Sequence, residues 1–124
     1  MSSSALKAYR RNDLQTAPKT DILDRLFVRL EADLRAGQSA ITAGDIAGRA
    51  RALDHASRIL TELIAALDTR AAPELCGNLE ALYRYCQSSI GRASVERKAV
   101  LLDQSLKIVT TLRVSFAEAA AIRA

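Results

Sequence analysis

The side chains that could carry out catalysis are few and widely spaced. His55 is the single histidine, and Asp54 beside it cannot face it, because consecutive residues on a helix point in different directions. The two cysteines, Cys76 and Cys86, lie about 15 Å apart along one predicted helix, too far for a disulfide or a shared metal ion. We therefore expect two buried, reduced thiols and a histidine at the solvated surface.

Motifs of known chemistry are also missing from the sequence. It contains no Gly-rich phosphate loop, no paired-cysteine motif and no His-Glu-x-x-His metal motif. Its Asp and Glu residues mostly alternate with Arg and Lys along predicted helix faces, which is typical of surface ion pairs. The residues predict no enzyme, no catalytic residue, no metal site and no cofactor.

The charge balance is basic but evenly spread. The chain has 124 residues and a formal net charge of +4. A basic excess can serve nucleic-acid or anionic-membrane binding. Here the arginines are scattered and mixed with acidic residues, and no predicted helix has a continuous basic face. We expect an ordinary solvated surface and no nucleic-acid partner, and keep a basic nucleic-acid-binding bundle as an alternative.

Membrane insertion and targeting are not indicated either. The sequence has no run of 18 uninterrupted apolar residues, and residues 1–15 lack the apolar core of a signal peptide. The expected location is the cytoplasm, which also suits two reduced cysteines.

Helices are the elements that must position any functional side chain. Aromatic residues make up only 4% of the chain, and glycine and proline are scarce. That composition favours helices over strands. Apolar residues recur at helical spacing in a series of long segments, and in the second of them they step by four and three residues from Ile46 to Leu67. The predicted helices cover 18–43, 45–68, 73–90 and 94–121.

Glycine, proline and serine mark the expected helix ends. Gly44 and Gly91 are predicted to end the first and third helices, Pro73 to begin the third, and Ser94 to cap the last. Short links place consecutive helices antiparallel. The predicted fold is all-α, an antiparallel up-down four-helix bundle with a short N-terminal helix or cap segment. Residues 1–17 would form the cap, and residues 18–124 a single bundle domain.

Two helices carry more apolar surface than one core seam requires. The apolar arcs of the second and last helices each cover about half of the circumference. These wide faces could be buried in a structural homodimer, or they could form a groove that another helix fills. Periodicity alone does not separate the two interpretations. Arg113 lies within the apolar face of the last helix and is a local conflict.

Three stretches of the sequence resemble the flagellar secretion chaperone family, FliS. The first contains Tyr9, Leu14, Thr16-Ala17 and Leu26-Phe27, and the second is the segment 50–68, which closes on a Leu-Asp pair. The most specific stretch is the third, with Asn-Leu, Leu-Tyr and a further Tyr at family spacing. It contains Asn78, Leu79, Leu82, Tyr83 and Tyr85. Phe27 replaces a usual Tyr of the family, and Phe116 stands where the family often has Trp.

This resemblance implies a function and a partner. Such chaperones bind the disordered C-terminal segment of flagellin in the cytosol, prevent its premature polymerisation and deliver it to the flagellar type III export apparatus. The bound segment becomes helical against apolar grooves. The resemblance also suggests that the N-terminal segment, with Leu6, Tyr9 and Leu14, covers the groove until flagellin displaces it. The candidate flagellin-binding residues are Tyr9, Leu14, Ile22, Leu23, Phe27, Leu79, Leu82, Tyr83 and Tyr85.

Overall fold

The first helix follows from the spacing of its apolar residues. The structure, a computed structural model, describes residues 17–123, and in it α1 spans Ala17–Ala43. Leu23, Phe27, Leu30 and Leu34 recur at intervals of three and four and are all buried. Gly44 ends the helix with φ of 71°, donating to the carbonyl of Ile41, while the Asp45 amide donates to that of Ala40. This Schellman motif confirms the predicted stop.

The second helix begins at a side-chain cap. Asp45 accepts a hydrogen bond of 2.9 Å from the Gly48 amide, and α2 then spans Ile46–Ala65. The helix ends three residues before the predicted Asp68. Asp68 instead organises the link to the next helix, because its carboxylate accepts from the Arg70 amide and its carbonyl from the Cys76 thiol. A side chain that bonds nearby backbone competes with helix propagation in this way.

The boundary between the last two helices was predicted wrongly. Helix α3 spans Pro73–Glu96, so Gly91 and Ser94 lie inside it rather than at its end and at the next cap. An interior glycine costs only about 1 kcal/mol, and the burial of Ile90 and Ala93 on either side of Gly91 offsets that cost. The helix ends at Arg97, which adopts the left-handed conformation with φ of 56°.

A short 3₁₀ turn, which the sequence pattern did not predict, precedes the last helix. It spans Ala99–Leu102, and α4 follows as Asp103–Arg123. The polar side of this corner is tied to α1, because the Gln38 amide donates to the Ala99 carbonyl at 3.0 Å and to the Asp103 carboxylate at 2.7 Å. The turn thereby fixes where α4 begins.

The helices pack as consecutive neighbours, with α4 returning to α1. Contacts between α1 and α4 run in opposite order along the two helices: Gln38 meets Asp103, Glu31 meets Thr110, and Phe27 meets Phe116. Contacts between α2 and α3 also run in opposite order, since Gln87 donates to the Ser57 carbonyl and Cys76 to the Asp68 carbonyl. These are the contacts of antiparallel neighbours.

One hydrophobic core joins all of these elements, as the all-α bundle prediction requires. The side chains buried to 2% exposure or less come from every helix and from the 3₁₀ turn. They include Leu30, Leu34, Leu53, Leu60, Leu63, Leu75, Leu79, Tyr83, Leu102 and Val109. Because α2 packs against both α1 and α3, Leu53, Ile59, Leu60 and Leu63 of its wide apolar arc are buried, whereas Ile46 at its start is 60% exposed.

Candidate functional site: the groove between α3 and α4

The seam between α1 and α2 is tightly packed at Gly37, and the groove along its surface is lined by charged residues such as Arg29, Asp33 and Arg51. Gly37 lies so close to Leu53 that a Cβ added there would be 2.5 Å from the leucine Cδ2 atom. Next to this contact, Asp33 is buried and pairs with His55 of α2 and with Arg29, whose Nε lies 3.2 Å from the carboxylate. His55 is thus partly exposed and paired with Asp33, which sequence reasoning did not identify as its partner.

The seam between α1 and α4 is closed by a polar cluster and an aromatic stack. Glu31 accepts from Thr110 at 2.7 Å and from Arg113 at 3.1 Å. This pairing explains how Arg113 fits within the apolar face of α4. Burial raises the pKa of the Glu31 carboxyl, but the hydrogen bonds and the charges of Arg113 and Arg35 outweigh burial and leave the pKa below its ordinary value.

The aromatic stack joins two positions at which the sequence departs from its family resemblance. The rings of Phe27 and Phe116 lie 5.3 Å apart between centroids and are nearly parallel, at 25°. Both side chains are buried. Because each ring forms one half of the same contact, a substitution at either position would change the packing of the other.

The seam between α3 and α4 is different, because the two helices meet mainly at their shared corner. The 3₁₀ turn packs against α3 more extensively than α4 itself does. Below the corner, the buried Ser105 lies beside the Cys86 thiol. Burial raises the pKa of that thiol, and the nearby Ser105 hydroxyl partly opposes the rise. This keeps Cys86 in its neutral form, consistent with the predicted buried thiols, of which Cys76 is the other.

Outside this contact the two helices leave an open groove. We call it the α3–α4 groove, lined by Asn78, Ala81, Leu82, Tyr85, Gln104 and Ile108. The four residues from α3 lie at intervals of three and four, so they share one helix face. Leu82 and Ile108 are partly buried and supply the apolar floor, while the Tyr85 side chain is 47% exposed.

Within the described residues, the predicted site residues fall into three groups. Leu82 and Tyr85 lie together in the α3–α4 groove. Ile22 is 54% exposed, on α1 and outside the groove. Leu23, Phe27, Leu79 and Tyr83 are buried in the core, where they cannot touch a partner without a change of structure. Tyr9 and Leu14 lie outside the described residues.

Sequence reasoning missed four of the groove residues. Asn78 belongs to the Asn-Leu motif, but it is polar and so does not stand out among the apolar residues that predict a contact surface. Its spacing to Leu82 and Tyr85, four and seven residues, was the available signal. Gln104 and Ile108 come from a helix whose register against α3 depends on the 3₁₀ turn, which the sequence pattern did not indicate.

Comparison with protein-family models decides the family. The model described as flagellar protein FliS matches residues 1–123.

The chain belongs to the FliS family. The match covers nearly the whole chain, including the groove, and supports a flagellar chaperone role with protein partners. A comparison with curated proteins finds no match. Among the helices that the structure describes, none combines the length and hydropathy needed to cross a membrane.

Proposed function

We propose that this FliS-family protein is a cytoplasmic export chaperone that binds the disordered C-terminal segment of flagellin. It would prevent premature polymerisation and deliver flagellin to the flagellar type III export apparatus. The observation that carries the proposal is the α3–α4 groove, an open surface with Leu82 and Ile108 on its floor, in a chain matched to a flagellar chaperone family.

The shape and lining of the groove suit a helix. Two helices that diverge from a common corner leave a trough along which a third amphipathic helix can lie. Burying ~1,000 Å² of apolar surface across the whole complex would supply about 25 kcal/mol before costs. Ordering a disordered segment and losing its translational freedom consume most of that free energy. The binding is therefore expected to be reversible, as export requires.

Exposed apolar side chains elsewhere extend the proposed contact surface. Ile22 on α1 is one of them, and it remains a proposed flagellin contact. A long disordered segment can reach such separated sites by wrapping around the bundle. We further propose that Tyr9 and Leu14 of the N-terminal segment cover the groove when no flagellin is bound. The buried residues Leu23, Phe27, Leu79 and Tyr83 would act indirectly, by holding the groove walls in place.

Calorimetry against a peptide of the flagellin C-terminal segment from the same genome tests the proposal. Binding with induced helical circular dichroism is expected, and Leu82→Gln should weaken it about tenfold or more by removing apolar contact. Val28→Gln is the matched control, since Val28 is 50% exposed on α1 and lies outside the groove. No binding by the unmodified chain, or equal weakening by both variants, would contradict the proposal.

The proposed cover has its own test. Deleting residues 1–15 should tighten peptide binding if this segment competes for the groove. Unchanged affinity would remove the covering role while leaving flagellin binding intact. Sedimentation of the unmodified chain without peptide would show whether it forms a homodimer through the apolar surface instead.

A further inference from the structure

The α3–α4 groove contains polar as well as apolar residues, and the polar ones lie toward its two ends. Asn78 and Gln104 line it together with the apolar floor. Both side chains are exposed, and neither makes a hydrogen bond within the part of the chain that the structure describes. Their amide groups are thus satisfied by water while the groove is empty.

The direction of the helices sets the order of these groups along the groove. Helices α1 and α3 are both antiparallel to α2, so they run in the same direction. Because α4 is antiparallel to α1, it is also antiparallel to α3. Asn78 precedes Leu82 by one turn, and Gln104 precedes Ile108 by one turn. On antiparallel helices the two amides therefore lie toward opposite ends of the groove, with Leu82 and Ile108 between them. Gln104 lies toward the Tyr85 end.

A partner that covers this groove displaces water from both amides, so it must offer each of them another hydrogen bond. An amide that loses its water and gains no other partner weakens binding by roughly tenfold or more. A charged group on the partner could accept or donate the hydrogen bond, but its own desolvation would cost more than that of a neutral polar group. A neutral side chain such as Asn, Gln, Ser or Thr matches the amides at the lowest desolvation cost.

We propose that Asn78 and Gln104 are specificity-determining residues, which select a helix with apolar anchors flanked on the same face by neutral polar residues. The inference rests on the proposed function and names the chemistry of the segment bound there. The two amides lie toward opposite ends of the groove, on either side of Leu82 and Ile108. The bound helix therefore carries a neutral polar side chain near each end of the part that lies in the groove, with apolar residues between them.

The amides of Asn78 and Gln104 weaken the binding of an unmatched helix as well as favouring a matched one. A helix with a continuous apolar face would contact Leu82 and Ile108 but would leave both amides without water and without another hydrogen-bond partner. The groove thus rejects general hydrophobic segments, which a purely apolar trough would accept. Specificity arises here from the penalty on unmatched polar groups rather than from additional contact area.

The test uses an exchange of both amides for leucine. Asn78→Leu/Gln104→Leu keeps side chains of similar size on an exposed surface, so the fold should be retained. Two probes are titrated: the flagellin C-terminal peptide, and a designed helical peptide of leucine, alanine and lysine with a wholly apolar face. Ala32→Leu/Ala47→Leu is the matched control, since it adds two leucines at exposed alanines of α1 and α2.

The expected result is a loss of discrimination. The double amide variant should bind the designed peptide about tenfold or more tightly than the unmodified chain does, and bind the flagellin peptide more weakly. The alanine-to-leucine control should leave both affinities within about twofold. An unchanged ratio of the two affinities in the amide variant, or an equal gain in the control, would overturn the inference.

Failure of the proposed function is a separate outcome. If the unmodified chain does not bind the flagellin peptide, the function proposed above fails. The response of the designed peptide to the amide exchange would still be measured, and it would still decide whether the two amides exclude apolar helices.

Discussion

Helices α1 and α2 pack against each other much more extensively than α3 and α4 do. At the first seam, Gly37 lets the Leu53 side chain approach the α1 backbone, and the buried Asp33 pairs with Arg29 and His55. A groove lies along this seam too, but charged residues such as Arg29, Asp33 and Arg51 line it. At the second seam, contact is concentrated at the 3₁₀ turn, and the groove beyond it is lined by uncharged residues. We therefore expect the first seam to contribute more to stability, and the uncharged groove at the second is the proposed binding surface.

The largest expected difference concerns leucines in the two regions. Leu60→Ala removes a fully buried side chain of α2 and should lower the free energy of unfolding by about 3 kcal/mol. Leu82→Ala removes a partly exposed side chain in the groove and should cost under about 1 kcal/mol while weakening peptide binding. Urea unfolding of both variants measures this. Equal costs would mean that the groove floor is as essential to folding as the core.

Glycines on α1 and α3 provide a second comparison. Gly37→Ala should lower the free energy of unfolding by about 1 kcal/mol, because the new Cβ would overlap the buried Leu53 side chain and this overpacking outweighs the gain in helix propensity. Gly91→Ala on α3 should raise it by about 1 kcal/mol, since nothing lies within 4 Å of the new Cβ and alanine favours helix. Thermal unfolding measures both. A stabilising Gly37→Ala would contradict the tight packing of Leu53 against α1.

The α1–α4 seam should respond to acid through Glu31. Its folded-state pKa is lowered from the ordinary value of 4.5, so its stabilising effect is present above that pH and is lost as the pH falls through the lower folded-state value. Glu31→Gln should therefore lower the free energy of unfolding by about 1 kcal/mol at pH 7, and the difference from the unmodified chain should shrink in acid.

The matched control for this acid response is Glu62→Gln, at an exposed position on α2. It should have little effect on the free energy of unfolding at pH 7. Urea unfolding at a series of pH values measures both variants. A Glu31→Gln difference that stayed constant down to pH 3 would show that the hydrogen bonds, and not the charge, stabilise this seam.

The smallest expected effect is at the corner between α3 and α4. Arg97 adopts a left-handed conformation, which glycine enters without the steric cost of a Cβ. Arg97→Gly should stabilise the protein by about 0.5 kcal/mol, whereas Arg97→Ala should give no gain. Calorimetric melting curves compare the two. A loss on Arg97→Gly would show that the arginine side chain itself stabilises the corner.

Much of the fold could be predicted because the decisive signals are local. Gly44 combines a missing Cβ with the end of an apolar periodicity, and the helix ends there. The corner at Arg97 could not be predicted in the same way. Gly91 and the Ser94–Glu96 stretch carry the signals of a helix stop and a cap, and only the burial of Ile90 and Ala93 against other helices keeps this stretch inside α3.

The candidate site could be predicted only in part, because it also depends on how neighbouring helices cover the apolar arcs. Leu79 and Leu82 are both apolar and only three residues apart, but one is fully buried and the other lines the groove. Helical spacing identifies the apolar arc but not which part of it the neighbouring helices cover. Gln104 and Ile108 join the site because of the register of α4, which the 3₁₀ turn sets.

The pairing of the first helix with the last has a consequence for synthesis on the ribosome. The partners of Glu31 and Phe27 on α4 follow them by about eighty to ninety residues, whereas α2 follows α1 directly. Folding during translation can therefore build the helices in order up to α3, but the face of α1 that contacts α4 stays uncovered until α4 has been synthesised. A nascent chain stalled before Asp103 would expose Phe27 and its neighbours, so truncated products should be prone to degradation.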